Sequence, residues 1–166
     1  MFEHGRPLME FIQETGMPVP KILAIAAQPA LNAALRKAFT QEEIDVDALQ
    51  RIVDQIKKWQ VQIEFPETEY FLRVHMQGLT RQLARDPSDL QLMGKIDKLM
   101  ELLKSIPIEI VLWQVQNDYY VLAKTVYPEY LARQRQGEEG AAIWLEAFRK
   151  LGERFRFNLD AVLPQQ

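Results

Sequence analysis

Trp113, Asn117, Tyr120 and Lys124 recur at spacings of four, three and four, which puts them on one face of a helix. Gln116 stands beside Asn117, so an indole and a phenol are accompanied by two carboxamides. Such a set can hold a sugar, the rings stacking on C–H faces and the amides pairing with hydroxyls. It serves equally well to dock a helix on its neighbours, with the phenol and amides satisfied inside the protein. The internal reading is favoured, because aromatics at helical spacing usually face a core. Trp113, Gln116, Asn117 and Tyr120 nevertheless form the candidate ligand-binding set of this chain.

Other chemistry is thinly supplied. There is no cysteine, which excludes disulfides, zinc–thiolate sites, iron–sulfur clusters and a thiol nucleophile. The two histidines, His4 and His75, lack a second histidine three or four residues away, so no metal site is expected. Ser88 and Ser105 stand where capping and helix-end roles account for them. No phosphate-cradling loop, dinucleotide fingerprint or nucleophile elbow occurs, and no cofactor is expected. Glu109 is the acid set in an apolar run, between Ile108 and Ile110. It follows Pro107 at a helix start, where a carboxylate favourably opposes the macrodipole. An enzyme acting alone would need Glu109 or His75 in a cleft with a shifted pKa.

The elements that must carry these residues are helical throughout. The early stretch after Pro20 is rich in alanine and leucine and predicts a helix to about Phe39, kinked or split near Gln28 by Pro29. Asn32 lies among its apolar residues and needs a buried partner; Asn117 is one candidate. An earlier short helix is expected around Leu8, Phe11 and Ile12, stopped by Gly16. Asp45 or Asp47 can cap the next helix, with Leu49, Ile52, Val53 and Ile56 on its inner stripe. Val61, Ile63 and Phe65 alternate briefly, as in an extended connector or, less readily, an edge strand. Pro66 opens a helix whose stripe is Leu72, Met76, Leu79 and Leu83.

Asp86-Pro87-Ser88-Asp89 reads as a turn into a helix whose Leu92, Ile96, Leu99, Leu103 and Ile106 step by four and three, the seam of an antiparallel pair. The run from Ile106 to Tyr130 reads as a long apolar helix broken at Pro107 and Pro128. Gly137 and Gly140 bracket a loop, and a last helix carries Trp144, Phe148, Leu151 and Phe155. The expected fold is all-α, about seven helices in a bundle or an irregular stack of helical hairpins. One domain over 1–166 is expected, with an N-terminal helical subregion over 1–60.

With 166 residues, the chain can bury about 70% of the surface its unfolded form exposes, enough for a core without staples. Twenty basic and twenty-three acidic side chains are interspersed, without the basic stripe of a nucleic-acid reader. Lys21 to Ala30 has the look of a signal sequence, but Glu3, Glu10 and Glu14 precede it where basic residues belong. The basic cluster of the last helix is diluted by Glu146 and Glu153, so a solvated face is expected rather than a membrane one. The simplest location for a cysteine-free chain of this kind is cytoplasmic.

The stretch from Ser105 to Leu159 resembles an uncharacterised helical domain that follows the catalytic region in some bacterial glycoside hydrolase family 57 (α-amylase/α-mannosidase-like) proteins. The likeness is carried by Ile106-Pro107-Ile108-Glu109, Leu112-Trp113, Gln116-Asn117, Tyr119-Tyr120 and the helix around Phe148 and Leu151. The segment from Pro18 to Phe39 is similar more loosely, with Pro29 standing awkwardly in it. In such enzymes the nucleophile and acid belong to an upstream barrel, so the resemblance implies no catalytic residue here. It implies a non-catalytic accessory domain, free-standing or part of a longer enzyme, that packs on or regulates a carbohydrate-active catalytic partner. The alternative is a stand-alone sugar or small-ligand module using the face of Trp113, Asn117 and Tyr120.

Overall fold

The computed structural model describes residues 20–41, 44–63, 65–106 and 110–163, with backbone alone at 65–67. The expected helix around Leu8, with His4 and Glu109, lies outside the described residues. Seven helices account for most of the rest: α1 (Lys21–Thr40), α2 (Val46–Trp59), α3 (Phe65–Arg85), α4 (Leu90–Leu103), α5 (Trp113–Thr125), α6 (Tyr127–Arg135) and α7 (Glu139–Arg154). Among the described residues there is no strand, so the fold is all-α. The chain divides into two compact units between Phe71 and Leu72, within α3.

In the first unit α1 packs on α2. Leu31, Leu35 and Phe39 of α1 and Leu49, Val53, Ile56 and Trp59 of α2 are buried, as the three- and four-residue spacing of these apolar positions requires. Asp45 caps α2 by accepting from the Ala48 amide at 2.9 Å. Gln60 then adopts a left-handed conformation (φ 52°), and the Val61 amide reaches back to the Ile56 carbonyl at 3.0 Å. That closes α2 in the manner usually given to glycine. Residues 61–63 form the extended connector, with Val61 and Ile63 buried.

Of the two expected effects of Pro29, a split does not occur: α1 runs unbroken through it. Pro29 is exposed, so the carbonyl four residues earlier loses its helical donor on the solvent side, where water can replace it. Asn32 is buried, as its setting demands. Its side-chain nitrogen donates to the Gln28 carbonyl at 3.1 Å and to the Gln62 carbonyl at 3.0 Å, pinning the connector to α1. The nitrogen is thus committed to backbone, and Asn117 lies exposed.

The second unit holds the rest of α3 and α4 to α7. Asp89 caps α4 through the Leu92 amide at 2.8 Å, after the turn that begins at Asp86. The expected seam of Leu92, Ile96, Leu99, Leu103 and Ile106 is buried along its length. α7 packs against both α4 and α6. The run breaks near Pro128 as expected, into α5 and α6, which meet at Val126 with Pro128 in the first turn of α6. Rings fill the interior: Tyr130 stacks on Trp144 (centroids 3.9 Å apart), Trp144 on Phe148 (4.8 Å) and Phe148 on Tyr119 (4.3 Å). The Trp144 indole N–H donates to the Pro87 carbonyl at 2.6 Å, tying α7 to the turn before α4. Tyr119 donates to the Phe148 carbonyl at 2.8 Å, and burial pushes its phenol well above the ordinary range.

Candidate functional site

The sequence-derived set falls on α5, whose three sides do three different things. Its inner side is made by Val115, Tyr119, Leu122 and Ala123, all buried. These four follow helical spacing as regularly as the Trp113 series does, and they carry the packing. Trp113 and Tyr120 consequently face outward, 59% and 45% exposed, and the expectation that they belong to the core does not hold. Asn117 and Lys124 are exposed with them, and Val111 and Val121 widen the apolar patch. Trp113 and Tyr120 are seven residues apart, about 10 Å along the helix axis.

A second side of α5 holds the end of the chain. Gln116, Tyr120 and Lys124 step by four and form a row. The Gln116 side chain donates to the Phe155 carbonyl at 2.8 Å. The Tyr120 ring lies 6.5 Å from that of Phe157, and Lys124 Nζ donates to the Val162 carbonyl at 2.5 Å. The segment reaches this row because Arg156, at φ 55°, turns the chain as α7 ends, and the Phe157 amide closes back on the Gly152 carbonyl at 2.8 Å. Leu159 is buried further along, fixing the return.

The third side secures α5 to α3. Thr80 donates to Asp118 Oδ2 at 3.0 Å, and Gln114 donates to Asp118 Oδ1 at 3.1 Å. The buried Thr80 hydroxyl is thereby satisfied, and the Asp118 carboxylate is held by two donors.

The four candidate residues therefore separate. Gln116 is engaged with backbone; Tyr120 lies at the margin between the chain's end and solvent. Trp113 and Asn117 make neither a hydrogen bond nor a ring contact with any described residue, and stand open on the outer face. Of the three tryptophans, Trp59 and Trp144 are buried, so Trp113 is the indole that meets solvent.

The chemistry available elsewhere is structural. Asp97 of α4 lies between Lys150 at 2.7 Å and Arg154 at 2.6 Å, both on α7, and Arg154 also pairs with Glu101. Burial alone would raise the Asp97 carboxyl; the hydrogen bonds from Lys150 and Arg154 outweigh it and hold the group below its ordinary value. A carboxylate so saturated with cations braces two helices and is a poor general base. His75 is half-buried on α3. Among the described residues, no three His, Asp or Glu side chains gather to hold a metal ion. No described helix is long and apolar enough to cross a membrane.

Sequence reasoning did not find the Asp97 brace or the return of the chain's end. Both join residues roughly forty or more positions apart, and no local spacing announces such a pairing. The outer face of α5 presents an exposed indole, phenol and amide. No family model, curated protein or solved structure matches the chain.

Proposed function

We propose that this chain is a non-catalytic helical domain that works by docking, and that the outer face of α5 is its contact surface. The observation that carries this reading is Trp113, a large indole left 59% exposed on a helix that has buried its other apolar side. Tryptophan is enriched at the centres of interfaces, where one well-packed ring accounts for much of the binding energy. Asn117 beside it supplies donors and an acceptor that fix register. The partner is a carbohydrate-active catalytic domain of the family 57 kind, the class that the sequence resemblance implies.

The test is a titration of the full chain with a family 57 catalytic barrel, followed by calorimetry, in parallel for the wild type and Trp113→Ala. Saturable binding that weakens by about tenfold or more on truncation supports the reading, as for a central interface tryptophan. Absence of binding, or equal binding by the variant, removes it.

A second reading rests on the exposed rings at both ends of the face with the Asn117 amide between them. In that arrangement a sugar chain lies along α5, stacked on Trp113 and Tyr120. Tryptophan emission of the isolated chain, titrated with malto-oligosaccharides, reports on it, because the other two indoles are buried. An emission change absent from Trp113→Phe would favour the sugar; unchanged emission up to high ligand concentration would dismiss it.

A further inference from the structure

Phe157, Leu159 and Val162 seat the segment 157–163 on α5. The Phe157 ring stands edge-on to Tyr119 at 5.0 Å and tilted to Tyr120 at 6.5 Å, Leu159 is buried, and the Val162 carbonyl accepts from Lys124. The Val162 and Leu163 amides both close on the Leu159 carbonyl at 3.1 Å, so the segment carries its own turn and can move as one piece. Asp160 adds an ion pair to Arg149 at 3.9 Å, but both side chains are largely exposed and such a pair holds weakly.

One torsion aims this arm. Arg156, just past the end of α7, has φ 55°, at the position where a helix usually places glycine. Its β-carbon disfavours that conformation, and its side chain is exposed. At an ordinary helical φ the chain would instead leave along the axis of α7, with Arg154 and Arg156 both in the last turn, where cations oppose the macrodipole favourably. The arm would then point away from its own α5 and leave the row of Tyr120 and Lys124 uncovered. Gln60 is left-handed too, at φ 52°, but the connector after it is pinned by Asn32 and continues into α3, so that torsion is not free to relax. A short strained hinge before a separable segment is the condition that favours exchange between copies.

We infer that residues 157–163 are an exchangeable arm: in a pair of copies with Arg156 relaxed, each arm lies on α5 of the other. Phe157 then meets Tyr119 and Tyr120, Leu159 fills the same seat, and the Val162 carbonyl accepts from Lys124, all across the pair. The closed and exchanged forms share these contacts. They differ in two relaxed hinges, set against the lost freedom of two bodies. An arm on a short tether meets its own row at millimolar effective concentration, so the single chain prevails when dilute and exchange grows toward millimolar.

Sedimentation velocity of the full 166-residue chain over a concentration series tests this, with helical content checked by circular dichroism. Arg156→Gly relieves the closed hinge and should stay monomeric further up the series than the wild type. Arg156→Val, β-branched and poorly suited to a positive φ, should dimerise at about tenfold lower concentration or less, since two hinges change in each dimer. Both changes fall at an exposed position outside the helices, so the fold should hold. Adding Leu159→Ala to Arg156→Val empties two seats per dimer and should weaken association again by about tenfold or more. In the dimer the Val162 and Leu163 amides should be as protected from hydrogen exchange as in the closed monomer, because the arm is seated in both. Equal association by the glycine and valine variants, a dimer indifferent to Leu159→Ala, or a dimer with unprotected arms would each overturn the inference.

Discussion

The hydroxyl of Tyr119 occupies the space into which a β-carbon at residue 152 would project: the two would be 2.6 Å apart. Gly152 lies in the interior of α7, where glycine is intrinsically poor, and it is buried there. The close approach lets Tyr119 stack on Phe148, reach the Phe148 carbonyl and still pack edge-on against Phe155 (centroids 5.6 Å apart) and Phe157 (5.0 Å). Gly152→Ala therefore sets about 1 kcal/mol of gained helix propensity against overpacking beside a buried ring. Overpacking wins, because Tyr119 is buried, hemmed in by three aromatic neighbours and held by its bond to the Phe148 carbonyl. A net loss of about 1–3 kcal/mol is expected in urea denaturation, and a variant as stable as wild type would show that the ring yields easily.

The brace between α4 and α7 gives the chain an acid sensitivity with a definite sign. Asp97 is held below its ordinary value by Lys150 and Arg154, against the opposing effect of burial. A carboxyl depressed on folding contributes stability that is present in full above its unfolded value, 3.8, and is lost as pH falls through the lower folded value. Denaturation midpoints of wild type and Asp97→Asn should thus differ at neutral pH and converge in strong acid. At neutral pH the substitution leaves Arg154, which is largely shielded, with one carboxylate partner, Glu101, in place of two. A cost of about 1–2 kcal/mol is expected, discounted for the solvent that still reaches Lys150. A difference that does not change with pH would assign the effect to packing.

Gln60 ends α2 in a left-handed conformation that a β-carbon disfavours, and its side chain is exposed. Gln60→Gly removes that strain without removing a buried contact. The larger freedom of glycine in the unfolded chain offsets part of the gain, so an increase of about 0.5–1 kcal/mol is expected. Thermal melts would register it as a rise of a few degrees; a fall would mean that the Gln60 side chain contributes to the connector.

What the sequence disclosed, and what it withheld, follows from the range of the interactions. The buried row from Leu92 to Ile106 was legible because its spacing is a property of one helix. Asp45 was legible as one of two candidate caps because a cap bonds three residues ahead, whereas α4 is capped by Asp89 and not by the neighbouring Ser88. The demand of Asn32 for partners could be read from its apolar neighbours, but not that the connector at Gln62 would meet it. Whether Pro29 would split α1 could not be read from the sequence: its cost depends on which side of the helix it occupies, and that is decided by the packing of α1 on α2. The Trp113 face was misread for a similar reason. Two apolar rows run along α5, and only the tertiary arrangement selects Val115, Tyr119 and Leu122 as the inner one.

That selection yields the sharpest contrast between neighbouring side chains, Trp113 and Gln116. Both were candidates for the same site, and they now stand in opposite situations. Trp113 is exposed and makes no hydrogen bond or ring contact with a described residue, so Trp113→Ala should alter stability by no more than about 0.5 kcal/mol. Gln116 holds the Phe155 carbonyl where the chain turns back over α5. Gln116→Ala removes that bond and should cost about 1 kcal/mol, with freer exchange of the amides between Phe157 and Leu163. Hydrogen exchange with urea denaturation on the two variants separates recognition from architecture within one helix. If Trp113→Ala proved the more destabilising, the outer face of α5 would be part of the fold, and the docking surface would have to be sought elsewhere.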